Sequence, residues 1–430
     1  MKKSLFLYKS MVLNCCFIIS ISLFSASCHV HNEDVIKGRI VSEYETLKVL
    51  EVWGTHYERG VAQGYFLAEN IKDIYTGYIQ NFMGAHLEKA QRLLEEEVVF
   101  RVDKVFHDEA KGIIDGMAKA GVVIEDFTVY HLLLSNAFLD VMGLSQMIEL
   151  RNRRKMMGCS VLMSWGEATK NTEMKGLSVV TRHLDWPVQE NVINNQVVII
   201  HKPEESDEQA WLMVGFAGQI AVLSAINASK HAVFLNMMND YEVSDIPLPD
   251  KPFEPLGFTL RKAVEKKDFN KDGRYDIFDI RDALKSNTQG YAEGFIVSAL
   301  GPKNNVDTMT AFIAELAPTY PYIVFRNVSE NDSLKGTHLY TANSSIARLP
   351  HEADFCTRYV AVSRDLGDGL KIDAAKSWQI MKTASSLKNN IQFMQYIPHE
   401  HKLLLSIYLN EKPAYLNEPL SFDLNDFLGK

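Results

Sequence analysis

The sequence predicts an α+β protein, with a mostly helical first third followed by a strand-rich remainder in one compact unit. Three observations carry this expectation. Between Val61 and Phe82 apolar residues recur at three- and four-residue steps, the spacing of one buried helical face. After the basic cluster Arg151 to Lys155 the pattern changes to short apolar runs separated by polar turns, which is how strands read. No internal repeat or low-complexity linker divides the chain, and 430 residues that are 47% hydrophobic can bury one large core or two moderate ones.

The chain begins with Lys2 and Lys3, an apolar stretch from Met11 to Phe24, and Ser25-Ala26-Ser27 before Cys28. These are the parts of an export signal. The apolar stretch falls short of the roughly 20 residues of a permanent span, which leaves a transmembrane anchor as the lesser alternative. Small residues directly before a cysteine resemble a bacterial lipobox. That resemblance implies removal of residues 1–27, acylation of Cys28, and an exported, membrane-anchored bacterial lipoprotein at the periplasmic or cell surface. The plainer alternative is an ordinary signal peptide followed by a chance cysteine. His29 to Asp34 suits a short polar tether.

Val49 to Trp53 reads as a strand, and GTHYERGVAQG at 54–64 leads into a helix. One helical face then runs through Val61, Tyr65, Ala68, Ile71, Tyr75, Tyr78 and Phe82, and DEAKGIIDGMAKAG at 108–121 gives another helix. The expected strands are Cys159 to Trp165, Leu177 to Thr181, Val197 to His201, Ala210 to Val214 and His231 to Leu235. A helical region at 257–290 follows, then strands at Ala311 to Leu316 and Tyr322 to Phe325, with mixed structure in the last hundred residues.

Forty-five basic against 54 acidic residues give a formal charge of −9, and no Lys/Arg run is long enough to track a phosphate backbone, so no nucleic acid is expected as a partner. Of five cysteines, Cys15, Cys16 and Cys28 lie in the export segment, leaving Cys159 and Cys356 for the folded part. One such pair makes no disulfide framework, although an exported chain permits a single bridge. Cys159 therefore invites a chemical explanation.

It lies in MGCSVLMSWGEAT at 157–169, and GLSVVTRHLDWP follows at 176–187. Two strands joined by a polar turn would return Arg182 and Asp185 to the side of Cys159. Such a cysteine works well as an N-terminal residue. Its free α-amine, with an ordinary pKa near 7.7 to 8.0, serves as general base for the thiol without a separate histidine. Asp185 would orient that amine and Arg182 would favour the thiolate. Singly, each residue also has a structural reading: a buried core thiol, an ion pair.

Together they resemble the choloylglycine hydrolase and isopenicillin N acyltransferase group of N-terminal nucleophile (Ntn) hydrolases. Gly158-Cys159-Ser160 resembles the processing site of that group, WGEAT at 165–169 a segment of its acyltransferase branch, and RHLDWP at 182–187 its Arg-Asn-x-Asp-Trp motif, with His183 in place of Asn. GTHYERGVAQG and DEAKGIIDGMAKAG are similar to the acyltransferase prosegment. The resemblance implies a four-layer αββα Ntn sandwich with a mostly helical prosegment. It also implies a self-cut after Gly158 and an α/β heterodimer of residues 28–158 and 159–430, with a higher oligomer left open. INASKHAVFLN at 226–236 resembles the stretch that nominates Asn236 as oxyanion donor. HLYTANSS at 338–345 nominates Asn343 as a second polar contact, and DFCTRYVAV at 354–362 nominates Arg358 as electrostatic support.

By this resemblance the substrate is a small N-acylated molecule (a bile-acid conjugate, a fatty acyl amide or an acylated β-lactam), cleaved through a thioester without an organic cofactor. Alternatives are acyl transfer to another amine and phospholipase B-like ester hydrolysis. A third is an inactive, calcium-stabilised surface binding lipoprotein. The calcium enters through DFNKDGRYDIFD at 268–279. Asp268, Asn270, Asp272, the Arg274 carbonyl, Asp276 (directly or through water) and Asp279 occupy EF-hand-like loop positions 1, 3, 5, 7, 9 and 12, with Gly273 at the sharp turn. Position 12 is Asp rather than Glu, as in dockerin-type loops. A single copy points to a structural Ca²⁺ site, and an acidic helix–turn–helix without metal is the alternative.

Overall fold

The computed structural model describes residues 35–151, 158–239, 250–303, 309–328, 334–348, 356–385 and 387–429. The export segment with Cys28, and the basic cluster beyond Arg151, lie outside the described residues. Ile36–Lys430 forms one contact unit of mixed α and β structure.

The strands are β1 (Gly38–Tyr44), β2 (Leu47–Gly54), β3 (Gly158–Ser164), β4 (Val179–Asp185), β5 (Gln196–Pro203), β6 (Trp211–Phe216), β7 (Ser224–Asn227), β8 (Ala232–Met237), β9 (Phe295–Leu300), β10 (Ala311–Leu316), β11 (Ile323–Arg326), β12 (His338–Thr341), β13 (Asn390–Ile397), β14 (Lys402–Ile407) and β15 (Leu420–Asp423). Nine of them form one sheet in the order β1-β2-β5-β6-β7-β8-β9-β10-β11; the other six form a second in the order β12-β3-β4-β13-β14-β15. All pairings are antiparallel except β2 with β5. The helices are α1 (His56–Phe66), α2 (Ala68–Asp73), α3 (Gln80–Met83), α4 (Leu87–Glu95), α5 (Lys104–Lys119), α6 (Val129–Met142), α7 (Ile148–Arg151), α8 (Glu190–Ile193), α9 (Leu256–Glu265), α10 (Ile277–Lys285), α11 (Thr357–Leu366), α12 (Ala374–Ala384) and α13 (Asn425–Leu428).

Strand alternation explains why the central runs are apolar throughout rather than every second residue. On β5, Val198 and Ile200 join Val49, Leu212 and Phe234 in a core shared with Val161, Met163, Val180, Met394 and Leu405 of the second sheet. Val197 and Ile199 point the other way, into a core with Phe106, Ile113, Leu133, Phe258 and Ile280 of the helices. In the second sheet Leu162, Tyr340 and Phe393 pack against Tyr359, Val362, Ile380 and Met381 of α11 and α12.

The first helical region differs from the single expected helix. The chain breaks at Leu67, continues as α2, and winds into a π-helical turn at Ile74–Ile79 before α3. The break rotates the buried face, so Tyr65 ends 39% exposed while Tyr75 and Tyr78 are buried. Helix α1 starts at a capping box: Thr55 accepts from Glu58 N, and the Glu58 carboxylate accepts from Thr55 N. It then packs against α5 backbone to backbone. A Cβ at Gly60 would meet the Glu109 carbonyl at 2.1 Å, and one at Gly112 the Tyr57 carbonyl at 2.2 Å, so only glycine permits this approach.

Candidate active site

Antiparallel pairing of β3 with β4 sets Gly158 opposite Asp185, Cys159 opposite Leu184 and Val161 opposite Arg182. Alternation then puts the Cys159 and Arg182 side chains on the face toward the nine-stranded sheet, where Arg182 Nη2 lies 3.9 Å from Cys159 Sγ and donates to the Leu235 carbonyl on β8 at 2.8 Å. Asp185 points the other way. There Arg358 on α11 reaches its Oδ2 at 3.5 Å, and Asn390, the first residue of β13, donates to its Oδ1 at 3.0 Å.

The two sides meet at the backbone of residue 159. Cys159 N donates to Asn343 Oδ1 at 2.9 Å, and Arg358 donates to both Asn343 Oδ1 at 2.7 Å and the Cys159 carbonyl at 3.0 Å. As a backbone amide, Cys159 N carries one hydrogen, which goes to Asn343 rather than to the Asp185 that the sequence nominated. Asp185 nevertheless lies close by: a Cβ on Gly158 would come within 3.3 Å of its Oδ2.

Burial decides the electrostatics. Cys159 is buried, which pushes its thiol up to about 11; Arg182 and Arg358 pull it down and Asp185 raises it, but desolvation wins. The thiol is thus protonated at neutral pH. Desolvation also raises the Asp185 carboxyl to about 6, against the opposing pull of Arg358, Asn390 and Arg182. His183, in the place of the resembled family's Asn, packs at a tilt against Phe393 with ring centroids 4.3 Å apart, and burial holds its pKa near 3. It is therefore neutral and adds no charge to the site.

Asn236 on β8 is buried and donates through Nδ2 to the Ala342 carbonyl at 3.0 Å, next to Asn343, whose own Nδ2 donates to the Met237 carbonyl at 2.7 Å. Among the described residues, Asn236 Oδ1 and Arg182 Nε and Nη1 have no hydrogen-bond partner, although all are buried. Buried guanidinium nitrogens without partners are costly. The structure therefore brings Cys159, Arg182, Asp185, Asn236, Asn343 and Arg358 into one cluster. Cys356, the N-cap of α11, is a free thiol two residues from Arg358.

Two residues that support the cluster escaped sequence reading. Asn390 binds Asp185, the carbonyls of Leu184 and Gln392, and accepts from Tyr415 N. Its one sequence signal is an amide heading a strand of alternating apolar and amide residues. Tyr78 accepts from Trp186 Nε1 at 2.9 Å, tying the first helical region to the residue after Asp185. Beside it lies an apolar cavity of about 70 Å³ lined by Tyr78, Phe138, Trp186, Val222, Leu223 and Leu235. Leu235 also accepts from Arg182, so this cavity adjoins the surroundings of Cys159.

The loop at 268–279 lies apart in sequence from these residues. Asp268 accepts from Asp272 N and Gly273 N, Asn270 from Asp272 N, Asp272 from Arg274 N, and Asp279 from Asn270 N and Asp276 N. Gly273 has φ +82° with open space around it. These side-chain-to-backbone bonds curl the loop around its own oxygens, and a donor set of carboxylates, an amide and a carbonyl is of the hard type that Ca²⁺ takes. Arg274 pairs with Asp272 at 2.6 Å and would have to yield to the ion. Among the described residues, the trio of acidic or histidine side chains whose ligand atoms lie within 4.8 Å of one another is elsewhere: His56, Glu205 and Glu208.

Comparison with known proteins gives distant likenesses. No family model matches the chain. A 190-residue stretch, 41% of this chain, is 23% identical to Protein dcd1B of Dictyostelium discoideum, and spans about a third (35%) of that protein's length. Among solved structures, a Caenorhabditis elegans ortholog of N-acylethanolamine-hydrolyzing acid amidase is similar at a TM-score of 0.40 and 14% identity, over 56% of this chain and 92% of that one. A mutant of conjugated bile acid hydrolase from Clostridium perfringens gives a TM-score of 0.38 at 12% identity, over 63% and 94%.

Proposed function

We propose that the chain is a self-processing Ntn amidohydrolase of four-layer αββα architecture, in which Cys159 cleaves the amide bond of a small N-acylated molecule through a thioester. The observation that carries this reading is the joint fixing of one residue's sulfur and backbone nitrogen. Sγ lies beside Arg182, while N and the carbonyl are held by Asn343 and Arg358. Two sheets facing each other across a shared apolar core, with helices on their outer faces, support the architecture.

In the first reaction Cys159 Sγ attacks the Gly158 carbonyl carbon. The Gly158–Cys159 amide bond breaks as the carbon–sulfur bond forms, the thiol proton passes to the departing nitrogen, and residue 159 gains a free amine. Water then hydrolyses the thioester and releases the Gly158 carboxylate and the thiol. In turnover the α-amine takes the thiol proton, and sulfur attacks the substrate carbonyl. Asn236 and a backbone N–H carry the oxyanion, a contribution of roughly 3 to 4 kcal/mol for one such donor. The α-ammonium returns the proton to the leaving amine, and water resolves the acyl-enzyme. Asp185, held by Asn390, stabilises the ammonium. The apolar cavity beside Trp186 suits an apolar acyl group.

The same site with an amine in place of water would transfer the acyl group, and an ester would enter the same thioester. Residues 268–279 would hold Ca²⁺ as a structural ion outside this chemistry, and Cys28 would tether the exported chain to a membrane.

Intact-mass analysis of the purified full chain tests the proposal: a new N-terminus at Cys159 and two co-purifying fragments are expected. Release assays on bile conjugates, acyl amino acids and phospholipids would then place the substrate. Cys159→Ala should abolish both the cut and turnover, whereas Cys356→Ala should leave both intact. An active enzyme with residues 158 and 159 still joined overturns the reading.

A further inference from the structure

Between α1, α5 and α9 lies a buried set of charges, bordered by the part-exposed Lys266, which pairs with Glu208 at 3.0 Å, and Glu205, which pairs with Arg59 at 3.5 Å. His56 and Arg59 come from α1, Glu109 from α5, Arg261 and Glu265 from α9, and Glu208 from the segment before β6. Arg59 and Arg261 are fully buried and the other four nearly so. His56 Nδ1 is 2.7 Å from Glu109 Oε2, and Nε2 is 3.0 Å from Glu265 Oε1 and 3.4 Å from Glu208 Oε1. Both ring nitrogens therefore face carboxylates, which requires an imidazolium that donates from each. The neighbouring carboxylates hold its pKa far above the ordinary histidine value, to about 11, against the opposing effect of burial.

Arg59 Nη2 reaches Glu265 at 3.0 Å and Glu208 at 3.3 Å, and Arg261 Nη2 reaches Glu109 at 2.9 Å. Arg261 also pairs with Glu265 and lies 4.3 Å over the Trp211 ring. Three positive and three negative side chains balance. They do not balance within either half of the chain. Residues before 158 supply His56⁺, Arg59⁺ and Glu109⁻, a surplus of one positive charge; residues after it supply Arg261⁺, Glu208⁻ and Glu265⁻, a surplus of one negative.

Either surplus, buried alone, is strongly unfavourable, because a buried ion without its partner keeps its desolvation cost and loses the compensating attraction. Most of the pairs cross between the halves: His56 to Glu208 and Glu265, Arg59 to the same two, and Glu109 to Arg261. Hydrophobic contact alone would join the halves without regard to ionisation. This cluster makes the join depend on particular charges.

We infer that the six buried charges form a matched ionic seal that holds residues up to Gly158 to the part beginning at Cys159 once the chain has cut itself. The inference rests on the proposed cut and adds what secures the two products. The glycine contacts between α1 and α5 support it, because they bring His56 and Glu109 together on one half in a fixed geometry that the other half meets.

The test uses the full-length chain, self-cut, followed by size exclusion through stepwise urea. Glu208→Gln keeps the volume and removes one negative charge; Arg59→Met removes its positive partner and keeps much of the length. Each single variant should raise the equilibrium constant for fragment separation about a hundredfold or more, and the double variant should recover a large part of that loss. Each substitution is also made on Cys159→Ala, whose halves stay covalently joined; those chains should elute as one species throughout. Cut Glu208→Gln that holds together over the same urea range as the cut wild type overturns the seal. A wild-type chain that never cuts overturns the processing reading and the seal with it. If Arg59→Met fails to fold, Glu208→Gln alone decides.

Discussion

The side-chain oxygen of Asn343 accepts from Cys159 N at 2.9 Å and from Arg358 Nη2 at 2.7 Å, so one amide oxygen ties the Cys159 backbone to the guanidinium that also holds its carbonyl. Replacing Asn343 with Leu leaves a buried N–H and part of a half-buried guanidinium without an acceptor. The cost to stability is about 1–3 kcal/mol. Self-cutting should slow by about tenfold or more, because the strand end that aligns Gly158 with Sγ is released. A mass-spectrometric time course of processing, with thermal melting alongside, measures both.

Asp185 predicts a pH limb. Before any cut its carboxyl is raised to about 6, and a free α-ammonium beside it would lower that value while favouring the ionised form. Turnover should therefore rise with pH along a limb below about 6. Asn390 favours the ionised carboxylate by donating to it, and Asn390→Leu should move the limb upward by about one unit, the worth of a charged hydrogen bond. A limb that stays in place while overall activity falls would make Asn390 a packing residue only.

Asp185 and Glu109 give stability opposite dependences on pH. Asp185 binds its proton more tightly folded than unfolded, so it costs stability progressively from about pH 3.8 to about 6 and throughout the range above. Glu109 is lowered to about 2 by Arg261 and His56, which overcome its burial, so its stabilisation is complete above about 4.5 and is lost as pH falls toward 2. That loss is about 3 kcal/mol. Urea midpoints of Cys159→Ala should accordingly drop between pH 4.5 and 2.5, and Glu109→Gln should flatten the drop.

Calcium should act on stability and not on chemistry. Adding Ca²⁺ to chelator-treated protein should raise the melting temperature by a few degrees, while Asp268→Ala should abolish that rise and leave turnover at 25 °C unchanged. An equal rise in Asp268→Ala places the ion elsewhere.

Much of this organisation was legible in the residues. The strand at Ala311–Leu316 falls where the apolar run predicts it, and the pairing that returns Arg182 to Cys159 follows from two apolar runs with a polar turn between them. The parallel pairing of β2 with β5 was not legible, because strands distant in sequence carry no mark of their partner. The kinked first helical region was missed because its apolar spacing continues through the break at Leu67 and the π turn, where the backbone, not the side-chain pattern, changes. Asn390 was hidden for a different reason. A buried amide is recognisable only once its neighbours are known, and all of its partners come from other turns and strands or from two residues along its own.

Gly158 and Cys159 are paired residues of a strand whose later residues are flanked by β12 and β4, not part of a surface loop. Chain ends ordinarily fray, and exopeptidases live on that looseness. An end born at Cys159 would be stitched into fabric from its first residue, offering a trimming enzyme no slack to pull, so a catalyst of this design could persist among digestive proteases without a guard over its working terminus.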